Sequence, residues 1–571
     1  MKTKPLRSRA NSLARTIRLS ALTALVAGSA VSSAHAQSLF YDTSAANGLT
    51  PGTATWDAGT TSAWATTATP GVAAPGLWTN ANTAVFDTAG TNTVTISGTV
   101  SAAGLTTSVA NTVTNINSGA LTLTGGITTS GIATSLTIGN GTAVTLGANI
   151  VVNNATAVTI NGIIGETGGA RILTKSTGTG ILTLSAANTY TGGTTVNAGT
   201  LNLTGGNNRL STTGAITLAT VTGVILDLGG NSQTTSGIVT LGRGTLRNGT
   251  LTSTTNAFVA NNSGMTVSAV LDGNVGLTRT GTGDLRLQAA NTYTGTTSLG
   301  GSSSTKIRIS NNSALGTGTL SFNGGLLELD SASLGTITNA MTATTNSTFL
   351  LSTSNNIYNA TFSGNLTGDG TNGLTKSGIG TITLSGTNTY GGATTVSAGT
   401  LLVSGGGLTA TSGIAVSGGT LQLGASNVVN NTAAVTLSSG TFSTGAAAGF
   451  SETLGTLNLD TAASLTLALG TGVHSINFAD SSAIDWTGST LTITGWTGIA
   501  GSSGTSGMIF FGNSSLGLTV GQLSQINFTG YANGAIILGN GEIVAIPEPS
   551  TIAMLLGSVG MLGLLRRRRR S

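Results

Sequence analysis

Leu173-Thr174-Lys175-Ser176-Thr177-Gly178-Thr179-Gly180-Ile181-Leu182-Thr183-Leu184-Ser185-Ala186-Ala187-Asn188-Thr189-Tyr190-Thr191-Gly192-Gly193-Thr194-Thr195-Val196 is the stretch on which the fold turns. It holds a cation, two glycines two residues apart, a short apolar run and an Asn-Thr-Tyr turn. A near copy runs from Leu374 through Lys376, Gly378 and Gly380 to Asn388-Thr389-Tyr390 and Val396. A weaker copy runs from Leu277 through Arg279, Gly281 and Gly283 to Asn291-Thr292-Tyr293. It departs at Arg286-Leu287-Gln288 and Thr296-Thr297-Ser298, and carries an insertion from Ser302 to Thr305. The three triplets lie 103 and 97 residues apart. Self-similarity of this kind marks a stack of like units, each needing its neighbours to bury its apolar face.

Outside the copies the texture is the same. Leu121-Thr122-Leu123, Leu201-Asn202-Leu203, Leu421-Gln422-Leu423 and Leu465-Thr466-Leu467 alternate with period two, the signature of a half-buried strand. Gly-Thr-Leu opens such runs at Gly199, Gly244, Gly249, Gly318, Gly399, Gly419 and Gly455, where glycine serves a turn and threonine a strand start. Between residues 37 and 546 no capped amphipathic helix is evident. The pattern predicts an all-β stack with strands ~4.8 Å apart and ~20–25 residues per coil, hence about 20–25 coils. Ladders of Asn and Thr in successive coils would hold it together.

Composition removes whole classes of function. The 571 residues include only 21 Lys+Arg and 16 Asp+Glu, 87 Gly and no Cys. Thiol enzymes, disulfide scaffolds and Cys-ligated metal sites are excluded. The formal charge of +5 belongs to the ends: Lys2, Lys4, Arg7, Arg9, Arg15 and Arg18 at one, Arg566 to Arg570 at the other. Residues 37–546 hold ten basic and fifteen acidic residues, a net of −5. Their cations are scattered along the sequence, and nucleic acid is not expected as a partner.

The two ends read as addresses. A basic segment, an apolar run from Leu19 to Val31 and the small residues Ala34 and Ala36 form a secretory signal peptide with cleavage after Ala36. That implies export through the Sec translocon. At the other end stand Pro547-Glu548-Pro549-Ser550, then an apolar stretch from Ile552 to Leu565, then Arg566, Arg567, Arg568, Arg569 and Arg570. Fourteen helical residues reach about 21 Å, barely enough for a ~30 Å hydrocarbon core. The arginines would stop transfer and stay cytoplasmic. This tail resembles the PEP-CTERM sorting signal of Gram-negative bacteria in all three parts. The resemblance implies an exosortase-type membrane protease that recognises the Pro-Glu-Pro motif. It also implies inner-membrane anchoring in transit, followed by the cell surface or extracellular matrix.

The body resembles the autotransporter-associated β-strand repeat of secreted passenger proteins. That implies a right-handed parallel β-helix. The expected organisation is a signal peptide (residues 1–36), a Trp-containing N-terminal cap (37–110) and a solenoid (111–449). The solenoid holds repeats at about 170–205, 274–310 and 371–405. A C-terminal β cap (450–545) and the sorting signal with one transmembrane helix (546–570) complete it. Trp56, Trp64 and Trp78 mark the first cap; Trp486, Trp496 and Tyr531 mark the second.

Chemistry is sparse. After signal cleavage His474 is the only histidine; its setting reads as an outward strand position, and no nucleophile elbow accompanies it. Glu328 and Asp330 are two apart, on one strand face, where a glycosidase or lyase would keep a carboxylate pair; a solvent face explains them equally. Lys175, Arg279 and Lys376 read as solvated strand-end charges or as contacts to an acidic exopolysaccharide. Tyr190, Tyr293 and Tyr390 read as covers for the next coil's apolar edge or as glycan-stacking rings. No cofactor or metal site is expected. The leading reading is a non-enzymatic, exported β-solenoid, structural or adhesive, associated with extracellular polysaccharide. The alternatives are a glycan-active β-helix enzyme and a self-associating fibre.

Overall fold

The computed structural model describes residues 36–547, apart from residues 45–48, 69–73, 131, 133, 263, 345, 354, 446, 461–464 and 488. Each short strand buries its apolar residues and turns the residue between them outward. Leu173–Lys175 and Thr194–Val196 each bury their first and third residues, and Ile181–Leu184 buries Leu182 and Leu184. The chain closes a coil and returns in parallel over itself. Thr194 lies opposite Leu173 and Ile216 opposite Thr194. Repetition gives an all-β parallel solenoid of about 18 turns, fewer than the 20–25 expected. The count falls short because long stretches at both ends go into hairpins and loops instead of coils.

The interior is one continuous apolar column, from Leu39 to Ala545. Its outer wall carries single-file hydroxyls: Thr174, Thr195, Thr217 and Thr240 stack in four successive coils. The first two repeats start in one ladder, since rungs connect Leu173–Lys175 through Thr194–Val196 to Leu277–Arg279. The third copy starts in another. Leu374–Ser377 continues the column of Gly283–Leu287, the second strand of copy two. The coil's sides are thus close enough in kind for a repeat to begin on either.

Both ends are closed. Parallel pairing already begins at Ser38–Tyr41 and Thr53–Trp56, so the Trp-rich region contains the first coils. Ser62–Ala65 covers Ser38–Tyr41 in antiparallel pairing. Behind it Trp56, Trp64 and Trp78 pack with ring centroids 4.7–5.0 Å apart, all fully buried. At the far end Glu542–Ile546 pairs antiparallel with Gly507–Phe511 and with Ala532–Ile537. These antiparallel covers block the edge-to-edge pairing that a bare strand invites. One helix of five residues, Val520–Ser524, departs from the helix-free expectation. Thr519 and Gln522 form its capping box, and Gln522 Nε2 donates to the carbonyls of Ser481 and Ile484 at 2.9 and 2.8 Å, which docks it. Among the described residues no helix is long and apolar enough to cross a membrane. The expected signal peptide, apart from Ala36, and the apolar tail lie outside them.

Candidate functional site

The recurrent residues of the three copies meet at the corners and in the core. Lys175, Arg279 and Lys376 have no exposed surface. Lys175 Nζ donates to the carbonyls of Thr177 and Gly178 at 3.2 and 2.9 Å. Lys376 Nζ donates to Ser377, Gly378 and Ala398 at 2.9, 2.7 and 3.0 Å. Arg279 reaches further, to Ala260 and Asn262 through Nη1 and to Thr282 and Gly283 through Nη2. Each cation therefore gathers the carbonyls of a tight corner that strand pairing leaves unused. Burial pushes the two lysine ammonium groups down to about 8. The reading of these cations as solvated charges or polysaccharide contacts is corrected. Period two itself carried the signal, because in Leu-Thr-Lys the third residue faces the same way as the first.

The Asn-Thr-Tyr turns are equally internal. Asn188 Oδ1 accepts the Ile164 amide of the coil before, at 2.8 Å, and its Nδ2 donates to the Arg209 carbonyl of the coil after, at 2.6 Å. Asn291 joins Leu271 to Ala314, and Asn388 joins Leu366 to Gly407, in the same way. The hydroxyls of Tyr190, Tyr293 and Tyr390 sit 2.6, 2.6 and 2.7 Å from those of Thr194, Thr297 and Thr394. The rings are at most 1% exposed, and burial holds the Tyr190 phenol up at about 12. No ring is open to a sugar, so the glycan-stacking reading is corrected.

His474 is also buried rather than outward. Its Nε2 lies 2.9 Å from Thr444 Oγ1 and its Nδ1 2.6 Å from the Gly472 carbonyl. Glu328 and Asp330 are on the wall, but spent in ion pairs. Arg308 meets Glu328 at 2.8 Å, Asp284 at 3.1 Å and Asp330 at 3.7 Å. Arg286 meets Asp330 at 3.0 Å and Lys306 meets Glu328 at 3.4 Å. Three cations and three carboxylates thus balance over three coils, a cluster that residue spacing could not reveal. Among the described residues no group of three or more His, Asp or Glu could hold a metal ion.

The chain leaves from the closed end. The last strand finishes at Ile546, and the Pro547 ring stands 3.1 Å from where a Cβ on Gly501 would lie. Ala36 is exposed at the other terminus. Ala34, Glu548, Pro549, Ser550 and Arg566 to Arg570 lie outside the described residues. Close to the exit, Glu542 is fully buried and accepts from Ser503 Oγ at 2.6 Å and from the Gly504 amide at 2.8 Å.

Comparison with known proteins joins these features. An alignment 246 residues long, covering 38% of this chain, is 32% identical to the adhesin BmaC autotransporter of Brucella suis biovar 1 (strain 1330). The match covers 7% of that much longer protein. No solved structure matches the chain. Residues 545–570 match the PEP-CTERM protein-sorting motif. Residues 173–203, 277–301 and 374–403 match the passenger-associated-transport-repeat, and their shared residues are the cations, asparagines and tyrosines just described. The chain therefore carries three autotransporter-type passenger repeats, built into a parallel β-solenoid, and a PEP-CTERM sorting motif at the point where the solenoid ends.

Proposed function

We propose that this is an exported, non-enzymatic surface or matrix protein of a Gram-negative envelope, delivered by its tail. One observation carries the reading: the sorting motif begins at residue 545, on the last strand of the closing hairpin. The last strand ends at Ile546, just before the Pro547-Glu548-Pro549 motif, so cleavage beyond Ile546 would remove the tail without opening the fold. Pro547 cannot donate to a sheet ladder and follows directly on the last strand, and Glu548 is the polar determinant of the motif. An exosortase-type protease acts there after Sec export. The arginines Arg566 to Arg570 hold the tail at the inner membrane until then. The body is structural or adhesive, as the name of the Brucella relative indicates for that protein, and associates with extracellular polysaccharide. The carboxylates Glu328 and Asp330 favour this over a glycan-active enzyme, because each is held by a guanidinium.

Fractionation of wild type, of a form lacking the last 25 residues, and of a form with Pro547-Glu548-Pro549 changed to alanines tests the reading. Wild type should reach the surface or medium without Arg566 to Ser571, and the alanine form should stay full-length in the inner membrane. Exported wild type that still carries Arg566 to Ser571 by mass spectrometry would reduce the tail to a simple anchor.

A further inference from the structure

The second repeat differs from its sisters at one corner, and that corner encloses a hollow. In copies one and three, three residues separate Val196 from Thr200 and Val396 from Thr400. In copy two, five residues, Gly300 to Ser304, separate Leu299 from Thr305. The longer turn folds over the next coil. Gly300 and Gly324 form an isolated antiparallel bridge, and Thr305 N donates to the Ser302 carbonyl at 2.7 Å, which fixes the loop's shape. Gly324 has φ +94° and its missing Cβ would stand against the Gly301 carbonyl, so only glycine admits this close approach.

Beneath the turn lies an open cavity of about 500 Å³, lined by Gly301, Ser303, Asn323, Asn346, Thr348 and Leu350 among others. That volume is within the range of small-ligand sites. Its lining is made of hydroxyl, carboxamide and aliphatic groups and holds no charge. The polar groups are not consumed by one another. Asn323 uses only Oδ1, toward Thr344 Oγ1 at 3.0 Å. Asn346 is held by its backbone, which donates to Thr371 Oγ1 at 3.1 Å. Ser303 and Thr348 make no side-chain hydrogen bond among the described residues. Leu350 continues, through Leu326, the column of Lys306. The hollow thus borders the balanced ion-pair cluster, which offers no net field to an acidic ligand.

Arg279 belongs to the same departure. Where Lys376 hydrogen-bonds Ala398 in the short turn that follows, Arg279 turns to Ala260 and Asn262 of the coil before. The wide corner is left to the solvent.

We propose that this corner is a binding site for a neutral, hydroxyl-rich saccharide unit. The proposal rests on the polysaccharide association inferred above and names its place and charge class. Asn323 and Asn346 supply donors and acceptors to sugar hydroxyls, Ser303 closes the rim, and Leu350 meets the apolar face of the ring.

The test is retardation of the purified full-length protein in native gels containing dextran, galactomannan or a soluble β-glucan, against alginate and hyaluronan. Asn346→Gly removes the carboxamide at a residue with φ 63°, a conformation glycine adopts freely. Asn323→Ala and replacement of Gly300–Ser304 by Asn-Ala-Gly are the companion variants. Circular dichroism and melting provide the check that each is folded. We expect wild type to bind at least one neutral glycan in preference to the acidic ones, and Asn346→Gly and Asn323→Ala each to bind about tenfold more weakly, one lost hydrogen-bonding group being worth roughly that factor. Neutral-glycan binding unchanged in both folded variants overturns the site and leaves polysaccharide association standing. Preference for alginate or hyaluronan overturns the charge class. Binding to no glycan removes the association and the site together.

Discussion

The imidazole of His474 fills the space that a Cβ on residue 449 would occupy. Gly449 and His474 are one packing unit, with Thr444 and the Gly472 carbonyl fixing the ring's two nitrogens. Gly449→Ala should therefore destabilise the protein by about 2 kcal/mol or more through overpacking. Adding His474→Ala should recover part of that loss, giving a coupling energy in a double-mutant cycle. Equal, additive losses by urea denaturation would show that the two residues are independent.

Arg279 serves four carbonyls where the lysines serve two or three. Arg279→Lys should leave at least one buried acceptor bare and lower stability by about 1–3 kcal/mol. Arg247→Lys, on the half-exposed wall beside Asp227, should change it by about 0.5 kcal/mol or less. Similar urea midpoints for both variants would refute the corner role.

Stability should rise with pH above about 8. Lys175 and Lys376 are pushed down to about 8 in the folded protein, against about 10.4 in an unfolded chain. Between these values the unfolded chain binds more protons, so raising pH favours the fold. Tyr190, held up at about 12, acts the other way above pH ~10, where the unfolded phenol ionises first. A urea midpoint that climbs from pH 8 to 10 and then falls is expected. The Lys175→Met, Lys376→Met double variant should lose the climb.

Glu452 provides an acid-side counterpart. Its buried carboxyl lies 2.7 Å from the Val428 amide and 3.3 Å from that of Val429, and burial pushes it up to about 7. The folded state keeps a proton that the unfolded chain releases near pH 4.3, so stability should fall as pH rises from about 4.5 to 7. Glu452→Gln keeps the acceptor, adds a donor and abolishes that slope. Melting curves at pH 4.5 and 7 decide it, and an unchanged slope in the variant would assign it elsewhere.

Period-two alternation made the solenoid legible, and the three copies made it specific, because both depend only on residues near in sequence. The same alternation also points Lys175 inward, as the third residue of Leu173–Lys175. Charge alone draws a lysine toward water, but register prevails here because corner carbonyls receive the ammonium group. His474 obeys the same register. Val473, 80% exposed, is outside the strand, and counting back from Phe478 and Ile476 puts His474 in the core. The roles of Asn188, Asn291 and Asn388 were not legible, since their partners lie about twenty residues away in both directions. The balanced cluster around Arg308 and the hollow under Gly301 depend equally on which coils become neighbours. The tail is the opposite case: its three parts are contiguous, and their order alone names it.

The placement of the basic residues bears on how the solenoid withstands proteolysis. All ten cations of the body fall between Arg171 and Lys376, and none occurs in the 189 residues from Ser377 to Leu565. A protease that cuts after lysine or arginine must thread a flexible, accessible loop. Lys175, Arg279 and Lys376 are enclosed, and Arg247, Arg286, Lys306 and Arg308 lie within paired strands. Only the turns at Arg171, Arg209 and Arg243 remain, so trypsin-like digestion of the native body has three places to begin and none in its C-terminal third.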